Sequence, residues 1–290
     1  SRYPEPPKGK VLEAALANHT IYYHRVGTPQ SDDRLIYARP DLPTWFLDGH
    51  VTEDGRYLVI AMARGSENSN RLYYADLGDP HHPAIGAAIM PLVEDDDAEF
   101  AVFGNVGSRL LMRTDRAAPN RKVIAIDLRQ PAPEHWQTIV PEAKEAIETV
   151  LFVGGRIVAQ YLVDVQSRVS LFGVDGRPDG DVALPGTGTV VEMGGREDAP
   201  EIFYSFSAPL FPTTVFAYDP AAKASAPFEA ARPPADPAKY ETKALFATSK
   251  DGTRVPFFLT GPRELTLDGS DWQPTWNLGV FAAPLEGLIR

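Results

Sequence analysis

The chain has 290 residues, 43% of them hydrophobic and 23% charged, with a formal net charge of −11 and no cysteine. That length holds one large all-β domain or two small ones around a sizeable core. The acidic balance, with no basic stripe, argues against nucleic acid, and the lack of Cys removes disulfides, thiolate metal sites and a Cys nucleophile together. No run reaches the roughly 18 apolar residues of a membrane-spanning helix, and the opening "SRYPEPPKGK" has neither a signal-type apolar stretch nor an initiating Met. A cytoplasmic location is expected, although a periplasm would tolerate the same composition.

Alternating strands fill the sequence, punctuated by 23 Gly and 27 Pro. In chain order, "TIYYHRVGT" suggests a partial unit, followed by "EDGRYLVIAMA" at Gly55 and "NRLYYADL" ending near Asp76. The same order returns as "NVGSRLLMRT" at Gly107 with "RKVIAIDL" at Asp127, then as "VGGRIVAQYL" at Gly155 with "SRVSLFGVDG" at Asp175. It returns once more as "MGGREDAPEIFYSFS" at Gly195 with "TTVFAYDP" at Asp219. The only fair helix candidates are short, such as "PEAKEAIETV" at 141–150. Last comes a β-hairpin, "ALFATSKDGTRVPFFLTGP", at 244–262.

The Asp markers lie 51, 48 and 44 residues apart and the Gly markers 52, 48 and 40. Two markers repeating in one order at that period are the signature of propeller blades, whereas a β-sandwich has no reason to repeat both. The Gly is expected to supply the positive φ of a two-residue hairpin turn, with Asp54-Gly55 as type I′. The Asp is expected to close the third strand and cap the turn into the outer one. Asp54, Gly55, Gly107, Gly155 and Gly195 are therefore structural turn residues.

Chemistry is sparse. Serine hydrolysis on an α/β-hydrolase needs a Gly-x-Ser-x-Gly elbow. None occurs, and Ser108 and Ser270 read as turn hydroxyls. The six histidines, His19, His24, His50, His81, His82 and His135, show no metal-ligand spacing. The acidic run Glu94 to Glu99 lacks the Gly and spacing of an EF-hand and reads as a solvated loop between blades. The pairs Tyr22–Tyr23 and Tyr73–Tyr74 should each send one ring between blades. Arg71 is the one site candidate, either as a salt bridge between blades or as a group reaching the central cavity. No cofactor and no metal are expected.

The sequence resembles the propeller of the prolyl oligopeptidase family. Tyr22, Tyr23, His24, Gly27, Thr28, Gln30, Ser31 and Asp33 carry a first block, Asp54, Gly55, Arg56 and Tyr57 a second, and Asn70, Arg71, Leu72, Tyr73 and Tyr74 a third. Later, "EIFYSFSAPLFPTTVFAYD" is similar to the family's last full blade, and "YETKALFATSKDGTRVPFFLTGP" to its crossover into the hydrolase domain. The resemblance spans roughly residues 1–262. After it, Pro274-Thr275-Trp276 hints at the family's next segment, but its Tyr-Gly-Gly-Phe core is absent.

The resemblance implies an all-β fold: a partial, open β-propeller of about four to five blades from a seven-bladed ring, plus the first strands of a lost α/β-hydrolase domain. Blades are expected over 1–238, the crossover hairpin over 239–262 and an atypical tail over 263–290. The whole enzyme of such a family is a serine-type endopeptidase. It cleaves short peptides after proline through Ser, His and Asp on the hydrolase domain, while the propeller gates access. This chain is expected to be inactive alone, with short proline-containing peptides as partners of the full-length enzyme. No nucleic acid or membrane partner is expected, and self-association is, through open blade faces that carry apolar residues such as Val59, Leu72 and Phe246 or their strand neighbours. A stand-alone propeller serving as a binding scaffold is the alternative, and an unrelated sugar-processing propeller would need inward carboxylates that the turn-capping Asp residues do not supply.

Overall fold

A computed structural model describes residues 1–6, 8–9, 13, 15–229 and 239–263 of the chain. The backbone separates into two units, Ser1–Lys144 and a second that begins at Glu145.

The first unit opens with the antiparallel pair β1 (Thr20–Tyr23) and β2 (Arg34–Ala38), extended by a bridge from Arg2 to Thr20. Two four-stranded sheets follow, each a simple meander in chain order. The first holds β3 (Trp45–Val51), β4 (Tyr57–Arg64), β5 (Asn70–Asp76) and β6 (Met90–Val93). The second holds β7 (Phe100–Val106), β8 (Arg109–Thr114), β9 (Lys122–Asp127) and β10 (Gln137–Val140). Successive side chains of a strand point to opposite faces. On β4 and β5, Tyr57, Val59 and Leu72 therefore meet Phe100, Leu110, Met112 and Ile126 of the next sheet. Their neighbours Ile60, Met62 and Tyr73 close on Ile21 of the β1–β2 pair. Because both faces are covered, "YLVIAMA" is a nearly continuous apolar run rather than a clean alternation. Each such side chain contributes roughly 1.5–3 kcal/mol by leaving water.

The second unit repeats the plan. One sheet holds β11 (Ala146–Val153), β12 (Arg156–Val163), β13 (Gln166–Gly173) and β14 (Pro178–Asp181), and the next holds β15 (Thr189–Gly194), β16 (Ile202–Ala208), β17 (Phe211–Asp219) and β18 (Ala224–Glu229). Val153, Val158, Val169 and Leu171 of the former pack on Val190, Tyr204, Phe206 and Phe216 of the latter, with the Tyr204 and Phe216 rings stacked at 5.3 Å. A two-stranded sheet follows, β19 (Tyr240–Thr248) and β20 (Arg254–Pro262), in unbroken register from Tyr240–Pro262 to Thr248–Arg254.

The Asp at or just after the end of each third strand acts locally: its carboxylate accepts the backbone N–H two residues on and so starts the turn. It is the last residue of β5, β9 and β17, whereas β13 ends at Gly173, two residues before Asp175. Asp76 takes Gly78 N at 2.9 Å, Asp127 takes Arg129 N at 3.0 Å, Asp175 takes Arg177 N at 3.1 Å and Asp219 takes Ala221 N at 2.8 Å. The Asp127 carboxyl is held below the usual carboxylate range, first by the Arg129 guanidinium, then by that backbone N–H and the Ser108 hydroxyl. Asp76 is lowered likewise by Arg56. A carboxyl with a depressed folded pKa contributes stability above its unfolded pKa of about 3.9 and loses it as pH falls toward the folded value. The urea midpoint is therefore expected to hold steady from neutral pH down to about 5 and to drop below about 4. Asp127→Asn should shrink that drop; an acid limb of the same depth in the variant would count against the assignment.

Four sequence expectations are corrected. The stretch 141–150 is not helical: Ala146–Val153 is β11, whose register with β12 overrides the helix-favouring Ala, Glu and Lys. The Asp54-Gly55 turn is not type I′, which needs positive φ at both residues, because Gly55 is at φ +75° while Asp54 is not left-handed. The loop is longer than two residues: Gly55 N bonds Thr52 O at 2.8 Å and Thr52 N bonds Tyr57 O at 2.9 Å. Val59 and Leu72, expected on an open face, are shut between sheets at 0% and 1% exposure, whereas Phe246 is 39% exposed. Gly195 lacks a positive φ. A Cβ there would sit 2.6 Å from Val153 Cγ1 and 3.0 Å from Glu201 O, so its role is close approach between neighbouring sheets. Residues 264–290, with Ser270 and Pro274-Thr275-Trp276, lie outside the described residues.

Candidate functional site

The turn residues come together in pairs. Asp54 accepts the Thr52 hydroxyl at 2.6 Å and Arg56 N at 3.1 Å, which fixes the β3–β4 loop. Its other oxygen accepts Asn105 Nδ2 at 2.7 Å from the adjacent sheet, and that amide also donates to Gly107 O at 3.0 Å. Burial pushes the Asp54 pKa up, and the hydrogen bonds from Thr52, Asn105 and Arg56 together outweigh it, leaving the carboxyl lowered. Asp54, Gly55 and Gly107 thus belong to one joint between the two sheets of the first unit. In the second unit Gly154 and Gly155, at φ +55° and +73°, form the β11–β12 turn. Gly154 N bonds Arg196 O at 3.1 Å, tying this turn to the Gly195 turn.

A second device recurs beside these turns. The residue following the turn Gly reaches an acid near the third- to fourth-strand turn: Arg56 to Asp76 at 3.1 Å, Ser108 to Asp127 at 2.8 Å and Arg156 to Asp179 at 2.8 Å. In each case a first-to-second-strand loop is bound to the outer loop of its own sheet.

Arg71 lies apart from all of these. It sits on β5, a quarter exposed, with Nη2 3.4 Å from Asp96 and its guanidinium 4.8 Å from the centre of the Trp45 ring. Arg64 shares both partners, at 3.0 Å from Asp96 and 5.3 Å over Trp45. Asp96 belongs to the acidic run between β6 and β7. That run is laced with arginine: Asp95 and Asp97 face Arg116, and Glu99 faces Arg113 and Arg121. The connection joining the two sheets is therefore solvated, as expected, with Asp95 and Asp97 exposed, and is also an ion-pair network. Exposed pairs of this kind contribute little singly, about 0–1 kcal/mol each, and more when partly buried and shared.

No described Ser, His and acid converge. Ser108 donates to Asp127 with no His at hand. His24 Nδ1 is 2.6 Å from Asp33, which also pairs with Arg2 at 2.8 Å. His19 Nδ1 accepts Leu47 N at 3.0 Å and stacks on Tyr3 at 4.4 Å, and burial lowers its pKa. Of the tyrosine pairs, Tyr73 is buried and meets Tyr37 at 5.4 Å, while Tyr22 lies under Arg2. Among the described residues there is no cluster of three metal-ligating side chains and no helix long and apolar enough to cross a membrane. Of the buried amides that join sheets, sequence reasoning named Asn70 only as part of a family block and missed Asn105 and Gln160. Their signal was a lone amide side chain inside an otherwise apolar strand.

The prolyl oligopeptidase N-terminal β-propeller domain, as a family model, matches residues 1–231. The prolyl endopeptidase of Elizabethkingia miricola is 30% identical over 286 residues, covering 99% of this chain and 39% of the relative. The dual function macrocyclase-peptidase POPB of Galerina marginata is 28% identical over 271 residues, covering 91% of this chain and 37% of the relative. A solved prolyl endopeptidase structure superposes with a TM-score of 0.77 at 34% identity, over 87% of this chain and 36% of that one. Prolyl oligopeptidase B of Galerina marginata, bound to a 25mer macrocyclization substrate, superposes with a TM-score of 0.80 at 26% identity, over 92% of this chain and 37% of that one. The chain thus spans well under half the length of the curated relatives it matches. The likeness fixes the fold class as all-β, a partial, open β-propeller whose antiparallel sheets do not close into a barrel.

Proposed function

Because the chain belongs to the prolyl oligopeptidase family, matching that family's N-terminal β-propeller domain over residues 1–231, we propose that it is the substrate-gating part of a serine-type endopeptidase that cleaves short peptides after proline, and that it has no peptidase activity alone. One observation carries the reading: the propeller match fills most of the chain, and the 290 residues contain no nucleophile elbow. A solved relative is bound to a peptide substrate, which supports short peptides as the partners of the complete enzyme. A cytoplasmic location belongs to the same proposal, and fractionation of the producing cells tests it. Purified chain is expected to show no turnover of a Gly-Pro chromogenic peptide and no labelling by a fluorophosphonate. Stoichiometric labelling of any Ser overturns the proposal.

The proposal extends to self-association through an apolar blade face. On the last four-stranded sheet, opposite the buried Tyr204 and Phe206, the side chains of Phe203, Val215 and Phe228 are 38%, 36% and 70% exposed, and the rings of Phe203 and Phe228 meet at 5.5 Å. Contiguous exposed apolar surface of this kind drives association. Light scattering after size exclusion is expected to show mass rising with concentration above the 31.7 kDa monomer. A constant monomer mass across a hundredfold range (about 1–100 µM, the span in which weak association shows) rejects it.

A further inference from the structure

We propose that a cleft of about 570 Å³ in the first unit binds the free carboxyl end of a short peptide or acyl-amino acid whose terminal side chain is apolar. The volume lies within the roughly 300–1,000 Å³ usual for small-ligand sites. The cleft is bounded by the loops that carry Arg56, Asp76, Ser108 and Arg129, over a floor that includes Met90 and Leu128.

Two guanidiniums border it with donors to spare. Arg56 spends Nε and Nη2 on Asp76 at 3.3 and 3.1 Å, and Arg129 spends Nε and Nη2 on Asp127 at 3.0 and 2.6 Å. Among the described residues neither Nη1 has a hydrogen-bond partner. The two positive charges are offset by Asp76 and Asp127, so the cleft is not a field that gathers any anion. What it offers is directed donors, the feature that suits a planar carboxylate.

The other borders supply what such a ligand carries beside its carboxylate. The Ser108 hydroxyl donates its hydrogen bond to Asp127 at 2.8 Å, which leaves the oxygen lone pairs free to accept the ligand's amide N–H. Met90, on the outer strand β6, is 49% exposed, an apolar surface the core does not use. With Leu128 it can seat an aliphatic side chain, and a thioether adapts readily to such contacts. Inorganic phosphate has no N–H for Ser108 and no apolar body to fill the seat.

The test titrates the full chain with N-acetyl-leucine, N-acetyl-leucinamide and inorganic phosphate, read by ligand-observed NMR. N-acetyl-leucine is expected to saturate, and the amide, which lacks the charge-assisted bonds, to bind about tenfold more weakly. Arg129→Gln should weaken N-acetyl-leucine by a similar factor with only a small fall in the urea midpoint, since that side chain is 75% exposed and its pair with Asp127 is screened by solvent. Met90→Glu, at an exposed position of the outer strand β6, should abolish binding by repulsion and loss of the apolar seat. Absence of saturable binding, equal binding of the amide, phosphate binding as tightly as the acyl-amino acid, or indifference to both substitutions overturns the proposal.

Discussion

Asn70→Ala is expected to destabilise the first unit by about 2–4 kcal/mol, read from the urea midpoint and slope. Asn70 begins β5 and is 7% exposed. Its Nδ2 donates to Phe100 O at 3.0 Å, its Oδ1 accepts Phe100 N at 2.7 Å, and its own backbone N–H bonds Ala98 O at 3.0 Å. One side chain thereby satisfies both peptide groups of the residue that opens the next sheet. Alanine strands a buried N–H and a buried C=O, each costing about 1–3 kcal/mol when left without a partner. Asn70→Asp is not a rescue: a carboxylate still accepts from Phe100 N but sets a negative oxygen against Phe100 O. It is expected to be as harmful as alanine at neutral pH. A change under about 0.5 kcal/mol, the size of an ordinary surface substitution, would mean that the amide does not join the sheets.

The blade register was legible because its markers act locally. An Asp that bonds the N–H two residues on makes a turn whatever surrounds it, so Asp76, Asp127, Asp175 and Asp219 stand out in the sequence and stand at turns in the structure. What escaped depends on neighbours distant in sequence. The outer strands β6, β10 and β14 have only four residues each, and β14 reads "PDGD", with no apolar signal. They form because a third strand already presents an unpaired edge. The faces of Val59 and Leu72 could not be read because strands covered on both sides lose their alternation. The ion pairs of the acidic run were not legible because its arginines are spread from Arg64 to Arg121 and meet only in the folded unit. Arg71 stood out by its place in a family block, but its partners, Trp45 and Asp96, lie 26 and 25 residues away on opposite sides.

Gly55→Val should cost about 2–4 kcal/mol, from two separable causes. The first is backbone strain: Gly55 sits at φ +75°, where a β-branched residue is an outlier. The second is overlap, because a Cβ at Gly55 would lie 2.8 Å from the Pro80 Cβ in the β5–β6 connection. Pro80 is on a rigid ring and cannot rotate away. Gly107 isolates the first cause. It occupies the matching turn of the next sheet at φ +58°, and a Cβ there meets nothing within 4 Å. Gly107→Val should therefore carry the strain alone, about 1–2 kcal/mol. The excess of Gly55→Val over Gly107→Val measures the contact with Pro80, and Pro80→Gly should remove most of that excess in a double-mutant cycle. Equal costs at the two glycines would show that the β5–β6 connection does not rest on the β3–β4 loop. An unchanged urea midpoint in Gly55→Val would go further, and would sink the assignment of the repeating glycine to the first turn of each blade.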